Sequence, residues 1–426
     1  MGIGIQSGSS RSAPEGRPVE AAVVKGTICE ETVRVCLQAY GEQLRAIVLT
    51  GSLARDEATI AEFKGRWELW GDAEFFLVFN DSAPLPPATN LIAIAAEINS
   101  SLLERKARCH VSLDAVHSRY FREILPHIFA YELRAWGKTV WGDSTVLALI
   151  PEFPASAIPL EDAWRLLCNR VIEQLEISAE PGAGPEVAGD GIRYRTAKLY
   201  LDMATSYLLF KGAYAPTYHQ RAEALGHLEK EVASEEKLPF SLPDFAERVA
   251  DSTHFKLTGS IRKTSFLNPK NGKDEATLWK ESLSFALGLW RWELAQLAGI
   301  EGNRPDRELM RAWMQRQPFS QRLRGWLYVA RQQGWARSWA DWPRWARLAW
   351  HASPRYWVYA LTFELARRSV DADRNSAGAR DGGWNFEALR DWLPATRGGE
   401  HACDPWHQLS SQTVWNYHEY LETTRA

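Results

Sequence analysis

The chain has 426 residues, 45% of them hydrophobic, and a formal net charge of -3, which is enough length for two or three domains. That charge excludes a whole-surface field of the kind that draws a protein to nucleic acid or anionic membrane, while leaving local basic patches open. No run of about eighteen apolar residues occurs, so no membrane span and no membrane partner are expected.

The five cysteines, Cys29, Cys36, Cys109, Cys168 and Cys403, lack CxxC spacing. They read as free thiols of a reducing compartment, and Cys109, next to a strand, as a small buried hydrophobe. Residues 1–28 read as a flexible tail, rich at first in Gly, Ser, Arg, Pro and Glu. The tail lacks the apolar core of a signal peptide, which points to a cytoplasmic protein.

Residues 30–43 have amphipathic helical spacing, and residues 44–50 form an apolar strand. Gly51-Ser52 breaks that strand, and a helix is expected from Leu53 with Ser52 at its N-terminus. Residues 56–70 mix charged and apolar side chains, including Trp67 and Trp70, and read as a loop or irregular hairpin. The apolar run 75–79 suits a central strand covered on both faces. A helix over 89–106 and a strand over 109–116 follow. This order implies an α/β or α+β domain, taken as α+β over residues 29–150.

Beyond residue 158 the period is helical. Helices are expected around Ala163 to Leu175, over Tyr194 to Gly212, and within 217–234, 242–252, 275–298, 304–315 and 318–333, with a Pro/Gly/Glu-rich loop over 180–191. The large all-helical region divides into an accessory domain over 158–300 and a tryptophan-rich extension over 301–426. The polar segment from Thr258 to Lys273, carrying Arg262, Lys263, Lys270 and Lys273, reads as a solvated connection rather than an anion-binding loop. Twelve of the twenty tryptophans lie after residue 300, with arginines interleaved. A stacking surface for bases or sugars would have this composition. Spacings of three to seven over 335–357 favour buried helix faces with arginine stems packed on rings.

Two segments carry chemistry. In the first, an apolar strand runs into Gly51-Ser52, and Arg55 follows one turn on. Glycine lets backbone approach a phosphate closely, Ser52 donates from its amide and hydroxyl, and Arg55 can meet the same phosphates. In the second, Asp72 and Glu74 stand two residues apart at the mouth of an apolar strand. On a strand they point to one side, where carboxylates can share hard cations such as Mg2+ or Mn2+. Taken singly, the first is an ordinary turn and the second a solvated strand end; their order together favours nucleotidyl transfer. His110 and His117 have no third ligand at a convincing spacing.

The pattern resembles the nucleotidyltransferase superfamily that includes aminoglycoside adenylyltransferases and minimal nucleotidyltransferases. Gly51, Ser52, Asp72 and Glu74 carry the match over about residues 30–150, together with the Gly-Ser-Leu-Ala-Arg-x-Glu segment from Gly51 to Glu57. The resemblance implies a third carboxylate on a later strand, which Asp114 matches, completing a metal site with Asp72 and Glu74. It also implies a triphosphate contact from a lysine in the accessory helical domain, matched by Lys198. A glutamate that activates the acceptor hydroxyl would fall at Glu132, for which a surface or helix-stabilising role is favoured. The implied activity moves a nucleoside monophosphate, with ATP as the favoured donor, to a hydroxyl or phosphate of an unknown small-molecule or protein acceptor, with nucleic acid disfavoured. Two alternatives stand beside it: a catalytically degenerate binding or regulatory protein that keeps the fold, and a helical protein-interaction module.

Overall fold

A computed structural model describes residues 19–179, 191–231, 240–268, 271, 274–335, 339–371, 389–396 and 405–421. It has the α+β architecture expected, a small mixed sheet within residues 44–142 followed by helices from residue 160 to 420. The chain divides into two compact units. Unit 1 comprises residues up to Ile124, Leu133–Pro151 and Leu257–Gly259, and unit 2 comprises Leu125–Glu132, Glu152–Lys256 and Ser260 onward.

Unit 1 opens with α1 (Val19–Tyr40), which begins well before residue 30. The apolar spacing continues backward through Ile28 and Val24, and both side chains are buried with Val35 in the core. The first ten residues of that helix, 19–28, were expected in the flexible tail; residues 1–18 lie outside the described residues. β1 (Leu44–Thr50) leads into α2, a single turn over Gly51–Ala54 rather than a longer helix from Leu53. β2 (Thr59–Phe63) and β3 (Arg66–Phe79) then form a regular antiparallel hairpin where an irregular segment was expected. Its two-residue turn, Lys64-Gly65, has φ of 51° and 75°. Positive φ at both positions is the turn geometry that matches strand twist, and glycine meets it without strain.

α3 (Ala88–Glu104) and β4 (Ala107–His117) follow close to their expected bounds, and β5 (Lys138–Gly142) closes the set. β3 is the hub of the sheet: it pairs antiparallel with β1 and β2 and parallel with β4, while β5 extends the β1 edge. One face carries Ile47, Leu49, Phe75, Leu77 and Val111 into a core with Ile28 of α1 and Ile98 of α3. Under the other face, Phe76 meets Tyr120 and Phe121 of α4 (Ser118–Glu123), each with ring centroids 6.0 Å apart.

Unit 2 holds α6 (Leu160–Ala179), α7 (Gly191–Phe210), α8 (Tyr218–Glu231), α9 (Leu242–Thr258, through Lys256), α10 (Glu275–Ala298), α11 (Asp306–Arg316), α12 (Phe319–Gln333), α13 (Trp342–His351), α14 (Pro354–Asp371) and α15 (Pro405–Tyr420). The short helix between β4 and β5, α5 (Ile128–Trp136), has residues in both units. α7 is buried on nearly every side, which marks it as the central helix of the unit. α10 starts where Asp274 accepts a bond from the Thr277 amide at 2.7 Å, and it stops at Gly299.

The tryptophans chiefly fill the core, as the spacing favoured: Trp164, Trp326 and Trp345 are fully buried, and Trp313, Trp342 and Trp357 pack against the same cluster. Trp384 and Cys403 lie outside the described residues, as do Lys270 and Lys273 and most of the predicted 180–191 loop. Arg262 pairs with Asp251 at 3.6 Å. Among the described residues no helix is long and apolar enough to cross a membrane.

Candidate functional site

The candidate site occupies one face of the unit 1 sheet, at the end where β1 stops. Thr50 lies opposite Glu74, the chain leaves through Gly51 to Ala58, and β2 returns with Thr59 opposite Trp70. Between those two ladders lie Gly71, Asp72 and Ala73 of β3. On the other edge β4 sets His110 opposite Asp72, Ser112 opposite Glu74 and Asp114 opposite Phe76, with a register shift between Glu68 and Asp72. Such a bulge re-aims the residues that follow it.

Alternation sends Asp72, Glu74 and Phe76 to one face and Ala73, Phe75 and Leu77 to the core. Directly opposed residues share a face, so His110, Ser112 and Asp114 join the carboxylates. Asp114 thus lies on the side the resemblance requires and is exposed. Its strand partner is Phe76, not Glu74, which sets it roughly 7 Å farther along the strand direction than the pair at the mouth. The side chain that meets Asp72 is His110, with Nδ1 3.2 Å from Oδ1. Among the described residues no group of three or more His, Cys, Asp and Glu side chains is arranged to hold a metal ion. The carboxylates expected to act as three are therefore a pair, Asp72 and Glu74, with His110 beside the first and Asp114 deeper on the same face.

The turn and the second carboxylate are built against each other. Gly51 has φ of 70°, and a Cβ placed on it would stand 2.4 Å from Glu74 Oε2 and 3.2 Å from its Cδ. Both the conformation and the space demand glycine. Ser52 follows in the single turn of α2, and its carbonyl accepts from the Glu57 amide at 2.8 Å. With one turn, the dipole of α2 is much smaller than that of the expected helix.

Arg55, read as a phosphate contact, instead turns inward: its Nε donates to Glu57 Oε2 at 3.0 Å, and both side chains are only 6% exposed. Glu57 thereby braces Arg55, and the pair fixes the end of the turn. Cationic groups near the turn come from elsewhere. Lys25 of α1 and Lys138 of β5 donate to Asp56 at 2.6 and 2.7 Å. Burial works to raise the Asp56 pKa, yet the bonds from Lys138 and Lys25 hold it below the usual aspartate value. Burial likewise lowers Lys25. Lys25 fell within the predicted tail, and Lys138 has no motif; only the strand pairing of Lys138 with Leu49 signals its position.

The other singled-out residues have structural partners. Lys198 belongs to unit 2, where it faces Glu173 at 3.9 Å; the neighbouring Arg170 charge, and then burial, lower its pKa. Glu132 accepts from Tyr214 Oη at 2.7 Å and pairs with Arg221 of α8, a tie between elements where a surface or helix-stabilising role was favoured. Tyr194 accepts from Lys256 at 2.6 Å and Tyr200 from Arg248 at 3.1 Å. His117 Nε2 contacts the Ala83 carbonyl at 2.8 Å. Burial pushes the Cys109 thiol up to about 12, as expected of a packed hydrophobe. Compared with protein-family models, curated proteins and solved structures, the chain matches none.

Proposed function

We propose that unit 1 is a nucleotidyltransferase domain that moves a nucleoside monophosphate, with ATP as donor, to a hydroxyl or phosphate of an acceptor, supported by Mg2+ or Mn2+. The observation that carries this reading is the fit of Gly51 against Glu74, where a phosphate-approach turn and a carboxylate occupy one another's space. Asp72 and Glu74 supply the oxygen donors that suit a hard divalent cation, and their common face suits a shared site. When bound, that cation would offset phosphate charge and polarise the α-phosphorus.

The remaining roles belong to the chain. Gly51 lets the backbone of the turn run close beside Glu74, and the backbone and hydroxyl of Ser52 orient the triphosphate. Arg55 and Glu57 hold the turn rigid from below. Lys25 and Lys138 place positive charge at the end of the same turn. His110 positions Asp72, and Asp114 extends the acidic face toward the acceptor side. In the reaction the acceptor oxygen bonds to the α-phosphorus and the bond to the pyrophosphate oxygen breaks.

The test is metal-dependent transfer from labelled ATP to a mixed acceptor extract, with pyrophosphate release followed in parallel. Asp72→Ala and Glu74→Gln should each lower the rate by on the order of a hundredfold or more, since each removes several kcal/mol of transition-state stabilisation. Pyrophosphate release that persists unchanged in Asp72→Ala would overturn the assignment. A second reading, a degenerate fold that binds nucleotide without transfer, is favoured by the displacement of Asp114 along the strand from Asp72 and Glu74. It predicts metal-dependent nucleotide binding lost in Asp72→Ala with no turnover in the wild-type chain.

A further inference from the structure

Charge is unevenly spread along this chain. Residues 311–351 hold eight arginines against one acidic residue, Asp341, a formal charge of +7 in a protein whose total is -3. Within it α12 carries Arg322, Arg324 and Arg331 and α13 carries Arg344 and Arg347, while Arg311 and Arg316 belong to α11. Ring contacts pair Phe319 with Trp350, Trp326 with Trp345, and Trp335 with Trp342. These run from the start of α12 to the end of α13 and back toward the turn, so the two helices form an antiparallel hairpin. Its inner side, with Trp326, Val329, Trp345 and Leu348, is buried in the unit 2 core.

The outer side is neither polar nor covered. Phe319, Leu323 and Leu327 recur every four residues on the outside of α12, and all three are exposed. Trp350 on α13 is 70% exposed, and Trp339, just before α13, is 79% exposed. Arg324 and Arg331 flank this strip on the same exposed side of α12, and among the described residues neither makes an ion pair. Isolated surface leucines need no explanation, but a continuous apolar strip with a basic margin marks an interaction surface.

We propose that this hairpin face docks on an anionic lipid surface, lying in the interface without crossing it. Tryptophan at the headgroup level, apolar side chains below and arginines reaching lipid phosphates are the chemistry of an interfacial helix. Leu323 and Leu327 decide against a nucleic-acid stacking platform, because an aliphatic side chain offers no π-face to a base. The exposed apolar residues of the two helices meet where Phe319 contacts Trp350, so the set is not the single stripe on one helix that a partner helix would use. The low net charge of the whole chain is no obstacle, since surface attraction falls off within a Debye length and the charge felt is that of the docking face, carried by Arg324 and Arg331.

Flotation of the full-length chain with phosphatidylglycerol/phosphatidylcholine vesicles, against pure phosphatidylcholine vesicles, tests this. The chain should float with the anionic vesicles only, and less so as salt rises. Arg324→Gln with Arg331→Gln should weaken partitioning by on the order of 20-fold. Leu327→Ser with Trp350→Ser should reduce it further, while the far-ultraviolet circular dichroism stays that of the wild type. Binding to neither vesicle, equal binding to both, or wild-type flotation of either folded variant would overturn the proposal. Retention of a single-stranded oligonucleotide or an acidic peptide without vesicle binding would overturn it in favour of that partner.

Discussion

Gly51 satisfies two demands at a single Cα. Its φ of 70° is one that L side chains adopt with difficulty, and its missing Cβ is the space that Glu74 Oε2 occupies. Gly51→Ala should therefore destabilise unit 1 by about 1–3 kcal/mol, seen as a lower denaturation midpoint. In a Glu74→Ala background the clash is gone and only the conformational cost remains, so the same substitution should cost less. An equal cost in both backgrounds would show that the two residues are uncoupled. At this scale the residue types of the site were legible: Asp72 and Glu74 share a face because strand alternation requires it. What was not legible was who stands opposite them. The parallel register of β4 gives Asp72 a histidine and moves Asp114 down to Phe76. Register is a property of two strands together, and no local pattern in either one states it.

Some helices of unit 2 were read close to their bounds, with 275–298 expected and Glu275–Ala298 observed, while α9 was expected to end at 252 and runs to Thr258. Long amphipathic segments bounded by Asp274 and Gly299 carry their limits in their own chemistry. Short elements did not. β2 and the first half of β3 were hidden because charged residues interrupt their apolar ones, Glu62 in β2 and Arg66 and Glu68 around Trp67 in β3, and one-turn α2 was read as longer. The α12–α13 hairpin illustrates the double use of tryptophan: Trp326 is 2% exposed and Trp339 is 79% exposed. Trp326→Ala should cost about 3–5 kcal/mol through the cavity it opens. Trp339→Ala should change stability by no more than about 0.5 kcal/mol. Thermal denaturation of the two variants separates core from surface within one hairpin, and equal losses would contradict the packing described.

Over the whole molecule, each unit has its own core, and the charged groups buried in those cores set the pH dependence of stability. Glu293 on α10 is fully buried, and burial pushes its carboxyl up to about 8, against 4.5 for an ordinary glutamate. Between those two values the folded chain keeps a proton that the unfolded chain has released, so stability falls as pH rises. Glu293→Gln mimics the protonated form. It should match the wild type near pH 5 and exceed it by about 2 kcal/mol or more at pH 8, measured by chemical denaturation across that range. A constant offset at every pH would place Glu293 in contact with water.

By itself the sequence determined the α+β class, the helical remainder, the turn at Gly51-Ser52 and the carboxylate pair of β3. All of these follow from periodicity, backbone preference and alternation over a few residues. Only the tertiary structure decided that Arg55 faces inward to Glu57, that Lys25 and Lys138 converge on Asp56, that His110 reaches Asp72, and that part of the tryptophan-rich hairpin faces solvent. Each depends on which distant segments lie side by side, and that is settled by packing of the whole core.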